Sequence, residues 1–432
     1  KFIIDSGNAV FMSNQVLDDS VNALSVGTVP SLGDKARMMW VPTRGAFRAG
    51  ALTGTAPNGV SIAQADLWND SHIGYLSVGI GTNTNASHYS TALGYGAIAG
   101  LTKDSSSSNA RTHIGFHNTY NAVSIGHTVR SLSNNSIAIG KAIDNQMVIA
   151  QSPGSTGNAW TDSNMISIGY NIANTRSRST LLGADLIAKA EDTVLIGRDI
   201  ILNNSGHTRA RNVTAIGKGI STPSGVGRSK NTLYVGHEIS NGATSNTGNN
   251  TFIGKDLTIS GNTHSSFAIG RNITLAGTTS AGMIGSDISK SGSGTGTLIG
   301  FNGAVGKSGL AIGRSVSSDA GVAIGKNVAS TNASGASGVA IGFNVNAGQN
   351  AIGIGFSLLT VDKNSTNVGR GNITKRDAVS LGRDNNSGSR YDVTIGKGNV
   401  TSGNNSPSVA MGVNSVATGQ TSVAIGDTTK SR

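Results

Sequence analysis

Cysteine is absent from this 432-residue chain, which removes disulfides, thiolate metal sites and cysteine nucleophiles together. Aromatic residues make up 4% of it, too few to fill the interiors of two or three ordinary globular domains of this total length. Charged residues reach only 13%, about half the usual quarter, and Ser, Thr and Asn stand in their place; this is not the composition of a highly charged disordered chain. Proline occurs 6 times and no Gly-X-Y period runs through the sequence, which excludes collagen. No apolar run approaches the roughly 18 residues of a membrane-spanning helix. Glutamate occurs only at Glu191 and Glu238, so material for the paired carboxylates of glycan cleavage is scarce.

What the chain does have is glycine, at 61 positions, and basic charge, 33 Lys and Arg against 22 Asp and Glu. The net charge of +11 favours association with polyanions without choosing among nucleic acid, lipopolysaccharide and acidic glycan. The glycines close a recurring pattern of an apolar residue, a small one, an apolar one and Gly. Its clearest copies end at Gly140, Gly169, Gly197, Gly270, Gly325, Gly342, Gly396 and Gly426, as in Val322-Ala323-Ile324-Gly325. Markers from Gly81 to Gly426, Gly115 among them, lie about 15.7 residues apart on average. That interval is too short for helix-pair repeats of roughly 33 to 47 residues and suits one turn of a β-solenoid.

Alternation within the pattern predicts a short strand with one buried face. It nominates Ile139, Ile168, Ile196, Ile269, Ile324, Ile341, Ile395 and Ile425 as the structural core. A second apolar residue follows three places after many glycines, at Val129, Ile143, Ile172, Leu186, Ile200, Val316, Val328 and Val345 among others, giving each rung two short strands. Between the two lie residues such as Asn171, Asp199, Asn272 and Asn327, which tolerate left-handed backbone. The expected class is all-β, a parallel solenoid of two-strand rungs. So narrow a core gains by closing against copies of itself, and homo-oligomerisation follows as an expectation.

Ser422-Val423-Ala424-Ile425-Gly426, Ser408-Val409-Ala410-Met411-Gly412 with Asn414, Ala417 and Gly419, and Tyr89-Ser90-Thr91-Ala92-Leu93-Gly94 with Ala99-Gly100 carry a resemblance. This part of the chain resembles the Hep/Hag-type head repeats of trimeric autotransporter adhesins. The stretch from Met38 to Gly50, followed by Trp68-Asn69-Asp70 and Ile73-Gly74-Tyr75, looks like the entry to the repeats in phage tail fibres. Many of those carry a self-cleaving C-terminal chaperone, and a chain trimmed just past a rung would suit such processing. The resemblance implies a left-handed parallel β-roll, a homotrimer and adhesion. Residues 1–75 then read as a small N-terminal β cap or attachment region, with a hairpin around Asp5-Ser6-Gly7-Asn8. Residues 76–432 read as the Gly-rich β-roll shaft.

The residue just after the marker glycine is often basic: Lys141, Arg198, Lys218, Lys255, Arg271, Arg314, Lys326, Arg370, Arg383 and Lys397, with His127 and His237 in the same register. Stacked rungs would align them into a ridge able to hold sulfated, phosphorylated or carboxylated polymer. The competing reading is a solvated turn whose charges are offset by neighbours such as Asp199, Asp256 and Asp384. Trp160, in a polar setting, is a candidate glycan-stacking platform or a packing residue. His113, His117 and His127 form no tight metal signature, and no metal or other cofactor is expected. Glu191 and Asp192 are adjacent, and strand neighbours point to opposite faces. No nucleophile elbow or zinc-protease motif occurs, so no catalytic residue is assigned and the chain reads as non-enzymatic.

Taken together, the residues and the resemblance lead to the expectation of a tail-fibre-like adhesin on a virion tail or at the cell surface. Its partners would be itself, a bacterial surface glycan or protein receptor, and other tail or appendage proteins at its ends, without nucleic acid. The head of a bacterial trimeric surface adhesin is the nearest alternative. A glycan depolymerase, distinguished by an inter-chain carboxylate pair and by polymer shortening, is a more distant one.

Overall fold

The computed structural model describes residues 2–4, 8–10, 36–41, 44–53, 68, 73–100, 120–145, 164–175, 178–202, 211–222, 229–242, 247–260, 263–277, 280–330, 337–402 and 405–432. Among them every regular element is a β-strand. Phe2–Ile4 pairs antiparallel with Asn8–Val10, and Ala36–Val41 with Ala46–Ala51; the strands that follow pair in parallel with the strands of adjacent turns. The architecture is a parallel β-solenoid. The chain divides into two units, residues 1–225 and 226–432, both built from the same rung.

The strand Val322–Ser330 illustrates that rung. Its neighbours are Leu310–Ser318 on one side and Val339–Ala347 on the other, with Gly325 held in register between Gly313 and Gly342. The glycine is required by the stacking itself. At Gly325 φ is +136°, and a Cβ there would sit 1.8 Å from the carbonyl oxygen of Gly342. No L-side chain fits that gap, so one glycine per turn is the condition for backbones to approach at strand spacing. Two residues later Asn327 takes left-handed backbone, φ +53°, and bends the strand. Asn171, Asp199, Asp256, Asn272, Asp287 and Asn344 do the same in their rungs, as their residue types predict. Asn327 Nδ2 also donates to Asn344 Oδ1 at 3.0 Å, linking successive turns.

The buried face is the reverse of the one expected from apolar alternation. Ala323, Val328 and Ser330 point inward and are buried, whereas Val322 and Ile324 lie on the outer side of the sheet. All eight nominated core isoleucines occupy that outer column: Ile139, Ile324, Ile341 and Ile395 are half-buried, and Ile168, Ile196, Ile269 and Ile425 are exposed, Ile425 to 64%. The small residue between the branched ones goes inside because it faces the second apolar position across a very narrow interior. Val129, Ile143, Ile172, Leu186, Ile200, Val316, Val328 and Val345 fill that space and are buried, as their spacing predicts. Volume is exchanged between the two positions. In the rung of Gly300 the inner residue is Leu298, and Gly303 replaces the usual branched partner, where a Cβ would come within 3.2 Å of Leu298 Cδ1.

In the first unit the ladder begins one turn earlier than the sequence markers. Gly50 pairs with Gly81, and Arg48 takes the inward position of that rung, fully buried. Its guanidinium donates to the carbonyls of Phe47, Ser77 and Ala86 and to Ser77 Oγ at 2.9–3.1 Å. Burial, with Arg44 nearby, pushes its pKa down to about 10. Trp68 is buried beside Leu52 and donates from Nε1 to the Thr84 carbonyl at 2.7 Å. Further along, Gly94 pairs directly with Gly126; Gly115 lies outside the described residues.

In the second unit the interior changes chemistry toward the C-terminus. Asn372, Asn385 and Asn399 occupy the inward position held elsewhere by Val or Ile. Their Oδ1 atoms accept from the backbone N–H of Asn385, Asn399 and Ser415 in turn, at 2.9–3.0 Å. Their Nδ2 groups donate to the carbonyls of Gly382, Gly396 and Gly412. Such a ladder satisfies each buried amide and fixes rung register.

Candidate binding surface

Because the marker glycines stack within each unit, the residue after each glycine also forms a column. In the first unit it runs Tyr95, His127, Lys141, Tyr170, Ala184, Arg198, Lys218. In the second it begins at His237, Lys255, Arg271, Ser286 and Phe301. It continues through Arg314, Lys326, Phe343, Phe356, Arg370, Arg383 and Lys397. All ten basic residues named from the sequence thus lie in this register, divided between two units.

Their surroundings differ. Arg198 pairs with Asp199 at 3.2 Å, Lys255 with Asp256 at 4.0 Å, Arg271 with Asp287 at 4.0 Å and Arg383 with Asp384 at 3.2 Å. Hydrogen bonds from Asn272 and Ser286, ahead of the Arg271 charge, hold the Asp287 carboxyl below the usual carboxylate range. These cations are locally offset, as the competing reading supposed. From Phe301 to Arg370 the position beside the column, which carries those acids elsewhere, holds Asn302, Ser315, Asn327, Asn344, Ser357 and Gly371 and no acid. Arg314 lies over the Phe301 ring at 5.8 Å, Lys326 over Phe343 at 5.2 Å and Arg370 over Phe356 at 5.5 Å. Phe343 and Phe356 stack with centroids 5.0 Å apart and planes 11° from parallel. In the first unit Lys141 lies over Tyr170 at 5.8 Å, and Tyr95 stacks on His127 at 4.9 Å.

The aromatics escaped a sequence search that looked for charge alone; the signal was present, since Phe301, Phe343 and Phe356 follow their glycines as the basic residues do. At about 4.8 Å per rung the acid-free run spans about 24 Å. It presents three cations, each beside a phenylalanine ring, an arrangement suited to anionic groups carried on a polymer with apolar backbone patches.

Glu191 and Asp192 do not diverge as strand neighbours should. Asp192 has left-handed backbone, φ +54°, and both carboxylates reach one guanidinium: Arg178 bonds Asp192 through Nε and, at 3.0 Å, Nη2, and lies 3.6 Å from Glu191. Trp160, His113 and His117 lie outside the described residues. No protein-family model matches this chain, and no curated protein matches it.

Proposed function

We propose that the chain is a non-enzymatic, fibre-forming adhesin of the tail-fibre kind, assembled as a homotrimer of left-handed rolls. It would bind a bacterial surface receptor at an extracellular or virion surface, with residues 1–75 serving as cap or attachment region. The observation that carries this reading is the outer apolar column. Ile139, Ile168, Leu182, Ile196 and Ile216 follow one another in the first unit. Ile253, Ile269, Ile284, Ile299, Ile312, Ile324, Ile341 and Ile354 do so in the second. A solvated protein rarely leaves so continuous an aliphatic face uncovered. A partner bearing the same ladder at the same rise matches it rung for rung, and a second copy of this chain is such a partner.

Binding rather than cleavage is favoured because the adjacent Glu191 and Asp192 are both engaged by Arg178. The acid-free stretch between Phe301 and Arg370 supplies an oxyanion-binding surface. Light scattering on the purified chain tests the assembly. A mass three times 43.6 kDa is the expected result; a mass equal to one chain overturns the self-associating fibre.

A further inference from the structure

The turns that precede the strands of the first unit bring together two adjacent columns of side chains. One contains Tyr75, His88, Tyr120 and Asn134, the other Leu76, Tyr89, Asn121 and Asn135. Backbone hydrogen bonds join the turns: Tyr89 donates to the Tyr75 carbonyl at 2.7 Å and Asn135 to the Tyr120 carbonyl at 2.9 Å. We propose that the hollow on this surface, lined by Tyr89, Tyr120, Asn121, Asn134 and Asn135, binds a ring of a neutral glycan.

The hollow is shallow and open, with about 410 Å³ of space over it, and among the described residues no charged group lines it. Tyr89 is 52% exposed and Tyr120 42%. Their rings stand 6.2 Å apart at 43°, an open wedge whose faces suit the C–H surfaces of a pyranose. Tyr120 is prepositioned by a stack. It lies against His88 at 5.7 Å, and His88 lies against Tyr75 at 5.1 Å with planes 13° from parallel. The Tyr75 backbone N–H donates to His88 Nδ1 at 3.0 Å, and Arg44 covers the far side of Tyr75.

Tyr89 shares the left-handed backbone of its column, φ +55°, with Leu76 before it and Asn121, Asn135 and Asn164 after it, so the turn geometry comes from the rung and the ring is carried out to the surface by it. The amides offer complementary groups. Asn134 Oδ1 accepts from the Tyr120 N–H at 2.9 Å, leaving its Nδ2 to a ligand. Asn121 Nδ2 donates to Asn135 Oδ1 at 2.9 Å, leaving an Asn121 acceptor and an Asn135 donor. Vicinal sugar hydroxyls, each both donor and acceptor, match that set.

The site names a glycan class for the attachment reading above but uses none of the residues on which self-association or polyanion binding depends. It is therefore tested separately, by saturation-transfer NMR on the full chain. The probes are methyl glucoside, methyl galactoside and methyl N-acetylglucosaminide, with glucuronate as the acidic control. Transfer to at least one neutral probe, exceeding that to glucuronate, is expected. Tyr89→Asn places there the residue type of the following turns, which hold the same left-handed backbone, so the fold is retained, and transfer should fall at least tenfold; Tyr120→Phe should keep it. Silence of all neutral probes, preference for glucuronate, or undiminished transfer in Tyr89→Asn overturns the proposal, whatever the oligomeric state.

Discussion

Lys290 occupies an inward position where the adjoining rungs carry Leu275 and Val305. Its Nζ donates to the Ser291 and Gly292 carbonyls at 3.0 and 3.3 Å. Its stem passes over Gly296, where a Cβ would approach Cε to 2.7 Å. Burial outweighs the pull of Asp319 and holds the ammonium below its ordinary pKa. The unfolded chain therefore binds the proton more tightly. In the interval between the lowered folded pKa and the ordinary value near 10.5, wild-type stability rises with pH. Lys290→Met should melt higher than wild type near neutral pH, by about 2–4 °C, with the gap closing as pH climbs toward 10. A gap independent of pH would show that the ammonium carries no burial penalty.

At the scale of the rung, position decides what a substitution does. Ala323→Asp introduces an unpaired carboxylate into the interior and should cost several kcal/mol, lowering the denaturation midpoint of the isolated chain. Ile324→Asp with Ile341→Asp touches only the outer column. It should leave the strand circular dichroism of a single chain intact while abolishing the higher mass in light scattering. If the isoleucine pair unfolds the chain as alanine replacement does, the outer assignment fails.

Most of the rung was legible in residues alone. Glycine intervals gave the turn, Asn and Asp gave the left-handed bend, and Val328 and its counterparts gave one inner column. The burial side of Ile324 was not legible, because a period of two separates faces without saying which is dry. The usual rule that branched residues go inside fails when an outer face is also apolar. The tyrosine hollow was hidden for another reason: Tyr75 and His88 are 13 residues apart but His88 and Tyr120 are 32, so neighbours across turns lose their common interval.

For the molecule as a whole, local neutralisation divides the excess of basic charge into offset and available parts. Arg198, Lys255 and Arg383 each have an acid beside them, whereas Arg314, Lys326 and Arg370 stack on phenylalanine. Reversing the latter three to Glu should lower the salt concentration at which the chain elutes from a sulfated-polysaccharide resin. Reversing the former three should lower it less. Equal effects would mean that net charge, not the stacked column, governs retention.

The backbone register is indifferent to how many residues separate its glycines. Eleven lie between one marker and the next at Gly313 and Gly325, and 28 between Gly140 and Gly169, yet both pairs stack alike. Contour length and axial rise are thus uncoupled. Excursions between rungs are interchangeable parts: each can be lengthened, shortened or replaced while the side-chain columns keep their pitch, so surface novelty can accumulate without renegotiating the scaffold.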